Sequence, residues 1–205
     1  MINAESVKTA VNAVASSMAQ NKEYLIGLDQ RNGDGDLGIS MSDGFRAVAE
    51  YLNQTEETDL GKLFQKSSRS FNEAAPSSLG TILSIGMMGI AKALRGKTEA
   101  DVREFAEACS KGLSGIMDKA GSKPGEKTIL DALCPAVEAL KDSGDVSDKE
   151  AFDNAAAAAA RGAESTKDMQ AVHGRAAYYG EKSIGLIDGG AIVGKLIFEG
   201  IASSL

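Results

Sequence analysis

The chain has no Trp, one His, two Cys and three Pro among its 205 residues, and aromatics make up only 5%. Each scarcity closes a class of protein. Cys109 and Cys134 are too few and too far apart for a disulfide framework or a thiolate zinc site, so they read as small buried residues in a reducing compartment. With so few aromatics, aliphatic side chains must fill the core. Few prolines and abundant Ala favour helix. Basic residues are also in deficit, 22 against 29 acidic, for a net charge of −7. Such a chain is poorly suited to nucleic acid or an anionic membrane surface. The segment Met1–Gln20 has neither the basic start nor the long apolar run of a signal peptide, and no stretch reaches membrane-spanning length, so the expected location is cytoplasmic.

What is present is helical periodicity broken by glycine-rich turns. Val7, Ala10, Val11, Val14 and Met18 form one apolar face in a segment from about Asn3 to Gly27. Phe45, Val48, Ala49 and Leu52 repeat the spacing. Further helices fit Leu60–Phe71, Ile82–Leu94, Asp101–Lys119, Ile129–Lys141, Lys149–Arg161 and Ala191–Ile201. Gly86 and Gly89 suit close helix packing, and the run Ala155–Ala160 is a strong helix former rather than a linker. No segment alternates like a strand. The expectation is a single all-α domain over residues 1–205, with eight antiparallel helices running up and down as a barrel or bundle. The polar breaks at Asp29–Gly38, Ser77–Gly80, Gly121–Thr128 and Asp188–Gly190 are separated by pairs of helices. In an up-and-down arrangement they fall at one end.

The first break carries chemistry. Asp29, Asp34 and Asp36 lie within eight residues, near no cation but Arg31. Three carboxylates so close repel one another unless a cation sits between them. Gly33 and Gly35 let the backbone fold tightly. Hard oxygen donors suit Mg²⁺ or Ca²⁺ rather than zinc. Spacing alone leaves a solvated acidic turn open, since Asn-Gly and Asp-Gly are ordinary turn formers. A calcium loop beginning at Asn32 wants Gly at its sixth position and Glu at its twelfth, where Leu37 and Asp43 stand.

Three motifs in order along the chain give a resemblance. The stretch Asp29-Gln30-Arg31-Asn32-Gly33-Asp34-Gly35-Asp36-Leu37-Gly38 resembles the signature of the ADP-binding L subunits of dihydroxyacetone kinases. Pro124-Gly125-Glu126-Lys127-Thr128 with Asp131 and Pro135 is a second match. The third is Gly174-Arg175-Ala176, Tyr179-Gly180-Glu181-Lys182-Ser183-Ile184-Gly185, then Asp188 and Gly190-Ala191. The resemblance implies an eight-helix antiparallel barrel with the nucleotide at one end. It implies that Asp29, Asp34 and Asp36 bind two Mg²⁺, which hold the phosphates of ADP or ATP. Leu37, Gly38, Ile39, Ser40, Ser78 and Leu79 correspond to positions beside the phosphates. Gly121 and Ile129 correspond to positions flanking the adenine. Arg175 matches the arginine of the nucleotide cap, and Asp188, Gly189 and Gly190 its closing loop. The implied partners are a K-type subunit carrying the keto sugar and, in one branch, an M-type phosphocarrier; a homodimer is compatible with this.

The chain departs from the family pattern at several points. Leu37 stands where His is frequent, Ser40 where Asn is, Leu133-Cys134 where an aromatic pair precedes Pro135, and Gly189 where Pro is common. The glycine-rich turn of the family is here Pro76-Ser77-Ser78-Leu79-Gly80. His173 reads as a solvated loop residue rather than a base, Lys127 and Lys182 are candidate phosphate ligands or solvated surface, and Ser77 and Ser78 lack a partner base. Two other readings stand beside the kinase subunit: a non-catalytic nucleotide- or metal-binding regulatory module, and a calcium-binding loop protein.

Overall fold

The computed structural model describes residues 1–205. Nine α-helices run in chain order: α1 (Ala4–Gln20), α2 (Lys22–Asp29), α3 (Leu37–Gln54), α4 (Leu60–Ala74), α5 (Ser78–Ala93), α6 (Val102–Ala120), α7 (Leu130–Lys141), α8 (Asp148–Ser165) and α9 (Gly189–Ser203). Eight are long; α2 is a short extension of α1 after a break at Asn21, whose φ/ψ of −96°/8° leaves the helical basin. Each long helix packs on the next, and α9 packs back on α1, so the ring closes as α1-α3-α4-α5-α6-α7-α8-α9. This is the expected all-α barrel. One element was not expected, a two-residue antiparallel pair of β1 (Ile2–Asn3) with β2 (Glu99–Ala100). It is too short to show alternation in the sequence.

Local signals set the helix starts. Asn3 and Asp101 close capping boxes, and Asp59, Ser77, Ser147 and Asp188 each accept an amide of the following first turn. Two starts fall earlier than periodicity suggested. Leu37 to Ser40 form the first turn of α3, and Ser78 and Leu79 the first turn of α5, because the polar breaks end at N-caps rather than beyond them.

The core is one aliphatic cluster of 42 buried residues. Small residues bring the helices close. Ala151, Ala155, Ala156, Ala159 and Ala163 bury the face of α8 between α7 and α9. Gly162 faces the carbonyl of Asp131, which Pro135 leaves without an i+4 donor; a Cβ there would lie 1.9 Å from that oxygen. Inside the ring an apolar cavity of about 200 Å³ remains, bordered by Phe45, Phe64, Leu83, Phe105, Phe152 and Phe198.

Up-and-down connectivity sorts the connections. Residues 55–59, 94–101 and 142–147 lie at the end holding both termini, where the Met1 ammonium pairs with Asp148. Residues 30–36, 75–77, 121–129 and 166–188 gather at the other end.

Candidate functional site

The aspartate loop is built around Asp29, the last residue of α2. Its carbonyl accepts the amides of Gly33 (2.6 Å) and Asn32 (3.2 Å), and its carboxylate accepts the amide of Gly35 (2.7 Å). Gly33 is required here, because a Cβ would lie 2.1 Å from Asp29 Oδ1; Gly35 has a φ of +80°. The loop thus folds back and carries Asp34 and Asp36 to Asp29. One carboxylate oxygen from each of the three lies within 4.8 Å of the others. Asp36 is the N-cap residue of α3 but makes no side-chain cap, and its carboxylate faces Asp34 and Asp29 instead. Burial, then the charges of Asp34 and Asp29, raise its pKa above the ordinary aspartate range, with Arg175 opposing. Three convergent hard oxygen donors fit a divalent cation. The calcium-loop alternative lacks its twelfth ligand here as well: Asp43 sits on α3 and pairs with Arg46 at 3.0 Å.

Around this loop the remaining residues fall as follows. Leu37, Gly38 and Ser40 are buried in the first turn of α3, whereas Ile39 is exposed. The Leu37 side chain turns into the core, and a Cβ on Gly189 would lie 2.6 Å from its Cδ2. The two departures from the family pattern therefore touch. At the start of α5, Ser77 Oγ accepts the Gly80 amide at 3.1 Å, leaving the amides of Ser78 and Leu79 without side-chain partners at a helix N-terminus. Gly121 ends α6 in the left-handed conformation, φ 62°, with open space beside it. Ile129 is buried and lies against Gly190 and Gly194.

The segment 166–188 folds over this end in short 3₁₀ turns. It carries Arg175, whose guanidinium lies 2.7 Å from Asp34. Tyr178 and Tyr179 line an open cleft with Asn32, Gly33 and Arg175, and Tyr178 is 91% exposed. Nothing in the sequence singled out Tyr178; an aromatic beside a cap arginine was the available signal. His173 does not stand free in solvent: its Nε2 lies 2.6 Å from Glu126, and that contact is the chief reason the Glu126 pKa is lowered. Lys182 is exposed. Lys127 is not available to a ligand, because it is 3% exposed and its ammonium donates to two backbone carbonyls. Asp188 caps α9 by accepting the Ala191 amide at 2.7 Å, and burial pushes its carboxyl up to about 6.

A closed ring of antiparallel helices with convergent aspartates at one end defines the class: an all-α barrel with a carboxylate cluster at its loop end. The chain belongs to the DAK2 domain family, which it matches over residues 32–203. Asp34 and Asp36 lie inside that match and Asp29 just before it. Along most of its length the chain is similar to ADP-binding subunits of PEP-dependent dihydroxyacetone kinases. It is 33% identical to the DhaL subunit of Escherichia coli over 171 residues, 82% of this chain and 81% of that one. With a DhaL subunit of Listeria innocua it shares 31% over 189 residues, 92% and 90% of the two chains. Among solved structures, the dihydroxyacetone kinase of C. freundii in complex with AMP-PNP and Mg²⁺ superposes on the whole chain with a TM-score of 0.79 at 26% identity. This chain spans 34% of that one. No helix is long and apolar enough to cross a membrane.

Proposed function

We propose that this chain is the nucleotide-binding subunit of a dihydroxyacetone-type kinase. In this reading it holds ADP or ATP at the loop end of the barrel and presents the terminal phosphoryl group to a small keto sugar bound on a K-type subunit. The observation that carries the reading is the convergence of Asp29, Asp34 and Asp36 within 4.8 Å, with Arg175 paired to Asp34. An acidic chain and a diphosphate attract only through cations placed between them. Asp29, Asp34 and Asp36 would hold the two Mg²⁺ of the family. When bound, these ions neutralise phosphate charge and favour in-line phosphoryl transfer.

The chain's own residues contribute position. The first turns of α3 and α5 would present amide N–H groups and positive helix ends to bound phosphates. Arg175 exchanges Asp34 for phosphate oxygens, which its planar fork holds bidentately. Tyr178 and Tyr179 offer faces beside the cleft, and Ile129 packs against Gly190 in the first turn of α9. None of these residues supplies a covalent anchor for a sugar, and His173 is engaged by Glu126. The sugar therefore comes from the K-type partner, and the spent ADP is either exchanged for ATP or rephosphorylated in place by an M-type phosphocarrier. Reconstitution tests this. The chain mixed with a K-type subunit, Mg²⁺ and ATP, or with the phosphocarrier system, should phosphorylate dihydroxyacetone, and the chain alone should not. Turnover by the chain alone would refute the division of labour, and no turnover with either donor system would refute the assignment.

A further inference from the structure

Lys127 is the one non-glycine residue in the chain with a positive φ, 60°. That conformation is costly for a side chain and is normally given to glycine. The turn that imposes it is fixed by Asp131, whose buried carboxylate accepts the amides of Gly125 at 2.6 Å and Thr128 at 2.7 Å. A lysine at such a site, buried with its charge, is explained by what its ammonium does. Nζ donates to the carbonyl of Thr166 at 2.6 Å and to the carbonyl of Leu186. Thr166 is the C-cap of α8, where carbonyls lack helical partners and the helix dipole favours a cation. Leu186 lies two residues before Asp188, the N-cap of α9.

We propose that Lys127 is a positioning residue whose ammonium clasps both ends of the 166–186 segment and so fixes Arg175 over the aspartate loop. Between the two carbonyls the chain runs through short 3₁₀ turns, and at its base the Asp188 amide also donates to Thr166 Oγ1 at 3.0 Å. The Gly185 amide donates to Lys167 at 2.7 Å, and Ser183 Oγ bridges Gly180 and Ala171. At the tip it meets the rest of the molecule through Arg175 on Asp34 and His173 on Glu126. The ammonium is the group that joins the segment's two ends to the α6–α7 turn. Its charge is met by the fields of Asp188, Asp131 and Asp168, none in ion-pair contact, while burial lowers its pKa. Closing the base of a loop in this way limits the conformations of its tip.

The link from clasp to nucleotide rests on the function proposed above; the clasp itself does not. The test is Lys127→Met, which keeps the length of the side chain and removes its donors, measured in the full chain by amide hydrogen exchange without nucleotide and by ADP release with Mg²⁺. Exchange should accelerate about tenfold or more for amides within 170–185, the factor expected from losing a hydrogen bond to a charged group, while α1, α3 and α5 keep wild-type rates. ADP should leave faster, and adding Arg175→Ala to Lys127→Met should accelerate release less than it does in the wild type. Unchanged exchange at 170–185, acceleration spread evenly over the barrel, failure of the variant to fold, or wild-type ADP release would each overturn the proposal. A wild-type chain that binds no ADP would refute the functional reading instead, and the exchange measurement would still decide the clasp.

Discussion

The guanidinium of Arg175 reaches from the cap segment to the carboxylate of Asp34, 2.7 Å away, and joins the two parts of the site that are far apart in sequence. Both side chains are well exposed, 65% and 42%, so the pair adds little to folding, about 0–1 kcal/mol. In the proposed function its value lies in placing a fixed positive charge beside the aspartate loop. Arg175→Ala should leave the unfolding transition nearly unchanged and weaken ADP at saturating Mg²⁺ by about 1–3 kcal/mol, the range for charge-assisted hydrogen bonds. Thermal unfolding and ADP titration on the same sample check both halves. Wild-type affinity would return Arg175 to the solvent-exposed surface.

Stability should depend on pH through Asp188. Its folded value of about 6 lies above the ordinary 3.8, so between those values the folded chain holds a proton that the unfolded chain has released. The resulting stability is fully present below about pH 4 and is lost as pH rises through about 6, up to about 3 kcal/mol in all. Asp188→Asn keeps a cap acceptor for α9 and removes the titration. Its unfolding free energy, followed from pH 4 to pH 7, should lack this component of decline that the wild type shows. Identical profiles for the two would contradict the shift.

Two glycines should answer oppositely to Ala. Gly27 lies inside α2 with nothing within 4 Å of a new Cβ, so Gly27→Ala should stabilise by about 0.5–1 kcal/mol through helix propensity. Gly80 turns tightly on Ala75, and a Cβ would fall 2.0 Å from its carbonyl oxygen. Gly80→Ala should destabilise by about 1–3 kcal/mol, the range for overpacking against atoms that cannot yield. Urea unfolding of both variants checks the contrast.

The barrel was legible because each long helix carries its own apolar face, and the end bearing the site was legible because its breaks recur after every second helix. Periodicity misjudged the joints. Leu37 and Gly38, like Ser78 and Leu79, read as loop because glycines and serines crowd those breaks, yet α3 starts at Leu37 and the Ser77 cap starts α5 at Ser78. The convergence of the three aspartates was an expectation of charge and spacing, and the fold-back over Asp29 that achieves it depends on backbone hydrogen bonds no pattern encodes. Lys127 was the least legible. Its left-handed backbone and its two carbonyl partners, 39 and 59 residues away, exist only in the folded chain.

The most direct test of the account is ADP titration by calorimetry with Mg²⁺ present, with Mg²⁺ chelated, and on Asp36→Asn. Asp36→Asn removes one donor charge from the cluster, and with it the burial of that charge and the repulsion by Asp34 and Asp29 that together raise the Asp36 pKa, so in metal-free buffer the variant should be at least as stable as the wild type. The account predicts ADP binding by the wild type with Mg²⁺, its loss on chelation, and its loss in the folded Asp36→Asn chain. Equal ADP affinity with and without Mg²⁺, or in the wild type and the variant, would contradict it.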